Sequence, residues 1–297
     1  MSTSTASSQI TFEVPISPKP APVAASTEIV AISRFRTRWG ADLAVHEGNP
    51  DFVLSLARGL SVIEAFDGHP QGMSIADISR ATELSRAAVR RLLITLELLG
   101  YIESNGRKYR LRHRVLHLGT SYLSSSSLAT ASQPAVQKIT DELGESSSVC
   151  VLDGDEVLSI AGAVRRGLMS LDVSTGSRLP VHCTAAGRVL LAALAEEQLP
   201  AHLERIELKA LTAKTIASRE ALARDIRRVR EQGFSIIDEE LETGVRAIAV
   251  PIVSKEGYVA GALGVGALAS RVSLEELQLR FLPALRDHAR AIGQSIS

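Results

Sequence analysis

From Asp51 onward, apolar residues recur at steps of three and four, Leu56, Leu60, Ile63 and Phe66, until Asp67-Gly68-His69-Pro70 stops the run. That spacing predicts an amphipathic helix burying those four side chains. Ser74 then reads as an N-cap with Asp77 three residues on, and Ile75, Ile78 and Ala81 supply the buried side of a short second helix. Only Thr82-Glu83-Leu84 separates it from the next cap, Ser85. A third helix follows, with Val89, Leu92, Leu93, Leu96 and Leu99 on one face and Gly100 as a left-handed stop. Two helices joined by so tight a turn form a helix-turn-helix. Next, Asn105-Gly106 sits between β-prone runs at 101–103 and 108–111, a strong hairpin signal, so a wing follows the third helix. Residues 113 to about 127 read as a connecting helix that fades into LSSSSLATAS.

The second half alternates the two periods. A helix near 129–143 closes at Gly144, and SSVCVLDG and EVLSIAGAV read as strands around Asp153-Gly154-Asp155. LMSLDV is a third strand, STGSRLPVHC a loop, and TAAGRVLLAAL a helix. SREALARDIRRVREQG is another helix, capped by Ser218 and stopped by Gly233. FSIID, VRAIAVPIV and YVAGALGVGAL are strands, and a last helix opens at the box Ser273 to Glu276 and is bent or restarted by Pro283. Three strands, helices, then three strands fit one antiparallel sheet flanked by helices, a cup suited to small ligands. The class is α+β. The expected domains are a mobile extension (1–50), a winged helix-turn-helix (51–112), a linker helix (113–128) and a ligand-binding, oligomerising domain (129–297).

Composition narrows the options. Residues 1–50 are rich in Ser, Thr, Ala and Pro, which argues against a packed core there. Within them, 29–45 is apolar with three arginines and the single tryptophan, and reads either as a docking or membrane-surface helix or as a partly ordered linker. Lys plus Arg and Asp plus Glu are each 33, so overall charge suggests no partner. No apolar run approaches the roughly 18–20 residues that span a bilayer. Cys150 and Cys183 belong to no C-x-x-C pair, which argues against a disulfide framework, zinc finger or iron–sulfur cluster. A cytoplasmic protein without metal or cofactor is expected, since the N-terminus lacks a secretory pattern.

Local charge tells more. Residues 84–114 hold eight basic side chains against two acidic ones, Glu97 and Glu103. At about 100° per residue, Arg86, Ala87, Arg90 and Arg91 fall opposite Leu92 and Leu96, in the first two turns of the third helix. A recognition helix meets base edges there. Small Ala87 and Ala88 permit close approach to the groove, Arg86 and Arg90 can reach guanine bidentately, and Arg107 and Lys108 at the hairpin tip suit phosphates. The bland alternative is a solvated charged face.

The segments SLARGLSVIEAF, MSIADISRATELSRAAVRRLLITLELLGYIE, KYRLRHRVLHLG, RLPVHCTAAGRVLLA, DEELETGVRAIAVPI and RVSLEELQLRFLPALRDHAR resemble the IclR (isocitrate lyase regulator) family of transcription factors over about residues 52–297. Within it they are most similar to the subgroup controlling aromatic-acid catabolism, such as the protocatechuate and 4-hydroxybenzoate regulators. The resemblance implies a GAF-like effector-binding domain, DNA contacts from Arg58, Ser85, Arg86, Arg90 and Arg91, and a homodimer or dimer of dimers. It also implies double-stranded operator DNA and a small carboxylate effector as partners, with RNA polymerase a further candidate. Ala88 departs from the threonine many members carry, and ALGVGALASR replaces a more polar stretch.

In the second half, Thr184-Ala185-Ala186-Gly187 begin a helix whose free N–H groups can hold an anion. The resemblance assigns carboxylate binding to the equivalents of Ala185 and Ala186; close packing of small residues is the alternative. Met169, Leu171, Ile248, Leu263 and Val265 are candidate apolar walls. His182, Cys183 and Asp238 are polar candidates, and Arg246 is a carboxylate partner if it points inward. Equally, Cys183 reads as a small buried hydrophobe, His182 as a satisfied loop residue, and Arg246 as a partner for Asp238 or the run Glu239, Glu240, Glu242. Adjacent His and Cys lack the usual zinc spacing.

The function expected is therefore a ligand-responsive, sequence-specific DNA-binding regulator of a catabolic operon, and not an enzyme. The alternatives are a cysteine-dependent enzyme using Cys183 with His182 as base, and a helix-turn-helix used only for protein contacts.

Overall fold

In the computed structural model, which describes residues 49–165 and 174–296, the chain divides into two units between Val115 and Leu116. Residues 1–48 of the extension, with the segment 29–45 inside them, and the strand LMSLDV with Met169 and Leu171 lie outside the described residues.

The first unit holds α1 (Leu54–Glu64), α2 (Ile75–Thr82), α3 (Arg86–Leu98) and the wing strands β1 (Ile102–Ser104) and β2 (Tyr109–Leu111). Ser74 caps α2 in a complete capping box: its hydroxyl accepts from Asp77 N–H, and Asp77 Oδ2 accepts from Ser74 N–H at 3.1 Å. The Ser74 hydroxyl, which also donates to Asp77 Oδ2 at 2.7 Å, then the Ser74 N–H and Arg80 hold the Asp77 carboxyl down at about 2, so the box stays formed through the mildly acidic range and is lost only as pH falls through that value. Ser74→Ala removes one such cap and is expected to cost about 1 kcal/mol, read as a lower urea midpoint; an unchanged midpoint would show the cap to be redundant.

Val62, Phe66, Met73, Ile78, Val89, Leu93, Leu96 and Ile102 form the core of this unit. The predicted face of α1 is corrected. Leu56 and Leu60 are 62% and 40% exposed, while Ala57, Ser61 and Val62 turn inward. The later half of the face is as predicted, with Phe66 in the core and Ile63 packed against it, while earlier in the helix the small Ala57 and Ser61 take the inward positions in place of Leu56 and Leu60. Leu99 is exposed as well, since it caps α3 instead of continuing it.

In the wing, Ile102 pairs with Leu111 and Ser104 with Tyr109. Asn105 Oδ1 accepts the Arg107 and Lys108 N–H groups and so closes the turn. Met73 adds a rung by exchanging two backbone hydrogen bonds with Tyr109, at 3.0 and 2.8 Å. Gly72 makes this approach feasible: it has φ +73°, and a Cβ there would stand 2.4 Å from Tyr109 O.

The second unit opens with α4 (Leu116–Ser125), which buries nothing, and α5 (Ser127–Leu143). Its sheet comprises β3 (Ser146–Asp153), β4 (Glu156–Ala163), β5 (Arg178–Pro180), β6 (Ser235–Asp238), β7 (Val245–Val253) and β8 (Val259–Leu268). The order is β5-β4-β3-β8-β7-β6, antiparallel throughout. β5 corrects the expected loop: Leu158 pairs with Arg178. One face, with Val149, Ile248, Val250, Leu263 and Val265, packs on α5 and on α10 (Leu282–Ser295). The other face, with Cys150, Val157, Ala249 and Ala262, packs on α6 (Ala185–Ala192), α7 (Leu199–Arg205) and α8 (Arg219–Gln232). The last helix begins as a single turn, α9 (Leu274–Glu276), and passes through a π-helical turn, Leu277–Phe281. Pro283 has no N–H for the Leu279 carbonyl, and the Leu282 N–H reaches back to Leu277 O instead.

Candidate functional site

Val89, Leu93 and Leu96 fasten α3 to its core and leave Arg86, Ala87, Arg90 and Arg91 exposed on the opposite face. Ser85 is exposed too, its hydroxyl accepting the Ala88 N–H at 3.3 Å. Arg107 and Lys108 are exposed at the wing tip. Among the described residues, no acid neutralises Arg86, Arg90, Arg91, Arg107 or Lys108. The first unit thus brings these expected positions onto exposed surfaces of α3 and the wing, with their charges free. Arg58, on α1, is half-buried, and its Nε is buried with no hydrogen-bond partner among the described residues.

In the second unit, Thr184 caps α6. Its hydroxyl accepts the Gly187 N–H at 3.2 Å and donates to Pro180 O at 3.0 Å. The Ala185 and Ala186 N–H groups precede the first intrahelical bond, and among the described residues neither meets an acceptor. His182 is buried beside them, its Nε2 at 3.1 Å from Lys209 O. Burial pushes its ring below the usual histidine range, which leaves it neutral near pH 7. Cys183 is fully buried, and that burial pushes its thiol up to about 12. A thiol so protonated is no nucleophile, and the His182 ring is already bonded to a carbonyl. The cysteine-enzyme alternative has no chemistry here.

Five expected residues do not join this turn. Ile248 lies in the α5/α10 core on the opposite face of the sheet, as do Leu263 and Val265. Strand alternation puts Arg246 on the Ile248 side as well, where it pairs with Asp238 and donates to Val272 O at 3.0 Å. Asp238 also takes Lys214 Nζ at 2.7 Å, and the Arg246 and Lys214 hydrogen bonds hold its carboxyl below the usual range. Of the alternatives weighed for Arg246, the pairing with Asp238 is the one present.

Sequence reasoning missed Arg188. It sits in mid-α6, 1% exposed, between Asp225 of α8 and Glu240. The signal was a lone cation inside the apolar run AAGRVLLA, which requires a buried counter-charge.

Among the described residues, no helix is long and apolar enough to cross a membrane, and no group of three His, Cys, Asp or Glu is placed to hold a metal ion.

Comparison with known proteins adds to this geometry. Residues 55–106 match the IclR helix-turn-helix domain, and residues 120–294 match the bacterial transcriptional regulator IclR C-terminal domain. The Pca regulon regulatory protein of Pseudomonas putida is 46% identical over 91% of this chain and 92% of its own length. A solved putative transcriptional regulator from Rhodococcus sp. RHA1 is 42% identical, with TM-score 0.73, over 82% of this chain and 98% of that one. A solved IclR homologue from Microbacterium hydrocarbonoxydans, complexed with 4-hydroxybenzoate, is 25% identical, with TM-score 0.70, over 82% and 98%.

Proposed function

The chain belongs to the IclR family of bacterial transcriptional regulators, a DNA-binding regulator and not an enzyme, and from that premise we propose that it senses a small aromatic carboxylic acid in the cytoplasm and controls a catabolic operon. The observation carrying the proposal is the pairing of two features, one in each unit: exposed arginines on α3 that no acid neutralises among the described residues, and a buried start of α6 whose Ala185 and Ala186 N–H groups meet no acceptor among them. The arginines suit guanine edges, with Ser85 and Ala87 beside them and Arg58, Arg107 and Lys108 on phosphates. The α6 end suits a carboxylate, with Ala185 and Ala186 as donors, Thr184 shaping the turn, and His182 and Cys183 as its walls. The bound 4-hydroxybenzoate of the Microbacterium homologue supports the aromatic class.

The working form is a homodimer or dimer of dimers on two operator half-sites. Exposed apolar side chains support it: Val53, Leu56 and Leu60 on and beside α1, and Leu116, Leu118 and Tyr122 on α4. Acid binding then acts by shifting the population of assemblies that fit both half-sites, with RNA polymerase as the downstream contact.

Fluorescence anisotropy tests the reading: the protein is titrated against its own upstream DNA and an unrelated duplex, across salt concentrations, with and without aromatic acids and their carboxamides. The expected result is tighter binding to the upstream DNA, changed by an acid and not by its amide. Equal affinity for both duplexes would leave only nonspecific phosphate binding, and equal response to acid and amide would discard the α6 site.

A further inference from the structure

Arg188 is the largest fully buried side chain among the described residues, and three of its five N–H donors make hydrogen bonds, one from each of its three nitrogens. Nε donates to His182 O at 3.0 Å, and Nη1 and Nη2 fork onto the Glu240 carboxylate, Nη1 to Oε1 at 2.7 Å. Nη1 also stands 3.0 Å from Asp225 Oδ2, ion-paired though not aligned for a hydrogen bond. So committed, this arginine has little left for a ligand. What it does is join the turn entering α6, the helix α8 and the chain leaving β6, segments far apart in sequence.

Glu240 carries the join further. Its Oε2 accepts the Ile216 N–H at 3.1 Å, and its carbonyl accepts Thr215 Oγ1 at 2.6 Å. Thr212 Oγ1 bonds Glu239 O at 2.7 Å, and the His182 ring bonds Lys209 O. The strap 209–216, which has no helix or strand of its own, is therefore tied at both ends to the residues that fix the turn before α6. Burying a cation with two carboxylates is a poor route to stability compared with apolar packing, and a good one to a unique arrangement of segments. Here the bond to the His182 carbonyl orients the His182–Cys183 peptide, and with it the path by which the chain enters α6.

We infer that Arg188 is a positioning residue for the acid site: with Glu240 it locks the turn entering α6 and the neighbouring strap into one arrangement that distinguishes a carboxylate from its uncharged analogue. The inference rests on reading the second unit as an acid sensor.

Four full-length proteins test it: wild type, Arg188→Lys, which keeps the charge and loses the fork, Glu240→Gln, which keeps the shape and loses the charge, and Thr215→Val, which removes the strap's bond from Thr215 to the Glu240 carbonyl together with the Thr215 hydroxyl's bonds to Leu211 and Thr212 inside the strap, and leaves the buried ions alone. Each is titrated calorimetrically with 4-hydroxybenzoate and 3,4-dihydroxybenzoate and with the two corresponding carboxamides. Arg188→Lys and Glu240→Gln are expected to lose on the order of 10-fold in acid affinity and much less in amide affinity, so that the acid-to-amide preference falls. Thr215→Val shifts the preference less, in the same direction, and amide hydrogen exchange over 209–216 rises in all three variants. A merely structural role would weaken acid and amide alike, so an unchanged preference in the variants overturns the inference while the acid-sensor reading stands. A wild type that binds no acid, or that prefers none over its amide, overturns both. Should Arg188→Lys fail to fold, a full wild-type preference in both Glu240→Gln and Thr215→Val is the overturning result.

Discussion

Gly187→Ala is expected to destabilise the second unit by about 3 kcal/mol, at the upper end of overpacking costs. A Cβ at that position would stand 2.1 Å from Val181 O and 2.6 Å from Thr184 Oγ1, both held in place by the turn itself. Neither atom is the free end of a flexible side chain, so α6 has to move outward, and the Thr184 cap opens as it does. Urea denaturation reads the loss as a lower midpoint for the second unit. Gly59→Ala supplies the contrast: nothing lies within 4 Å of its new Cβ, and alanine favours a helix interior over glycine by up to about 1 kcal/mol, so the first unit should gain stability. A Gly187→Ala midpoint within experimental error of wild type would show that the turn before α6 is loose enough to yield.

Arg90→Ala is expected to weaken operator binding by about 1 to 3 kcal/mol and to relax specificity at the base pair it reads, with Arg86→Ala behaving similarly. Both side chains project from the exposed face of α3 without an acid partner among the described residues, so truncation removes a contact to DNA and breaks no ion pair among them. Lys108→Ala at the wing tip serves as the comparison. It should weaken operator and unrelated duplex equally and reduce the salt slope by about 1, because a phosphate contact carries no sequence. If Arg90→Ala lowers both affinities by the same factor, Arg90 holds the backbone and reads no base.

The elements that could be read ahead are those whose signals are local. Ser74, Ser85, Ser218 and Ser273 cap helices as their positions imply, and Gly144 and Gly233 close α5 and α8 in the left-handed conformation. The face of α3 follows from a period of 3.6 and needs no partner to be seen. Where tertiary contact decides, the sequence is silent or misleading. Nothing in Leu56 and Leu60 distinguishes them from core leucines. The Met73 rung is one residue long, and β5 is a three-residue edge strand inside a Ser- and Gly-rich stretch. The candidate acid site divides along the same line: Thr184, Ala185 and Ala186 are legible as a helix start, whereas Ile248 was placed one strand position out of phase, since period-two patterns do not say which face is which. Arg188, Asp225 and Glu240 meet across 52 residues, and no local pattern announces that.

The Met73–Tyr109 rung has a mechanical consequence. Because the segment before α2 is hydrogen-bonded to the wing over Gly72, the wing cannot tilt independently of the helix-turn-helix without breaking two backbone bonds. The reading head is stiff. In the proposed dimer, a signal from the sensor would then reach the base edges only as displacement of the entire head, and DNA would compare the distance between two such heads with its own helical repeat of about 34–36 Å. On that proposal, an acid would change a caliper setting and leave the shape of the jaws alone.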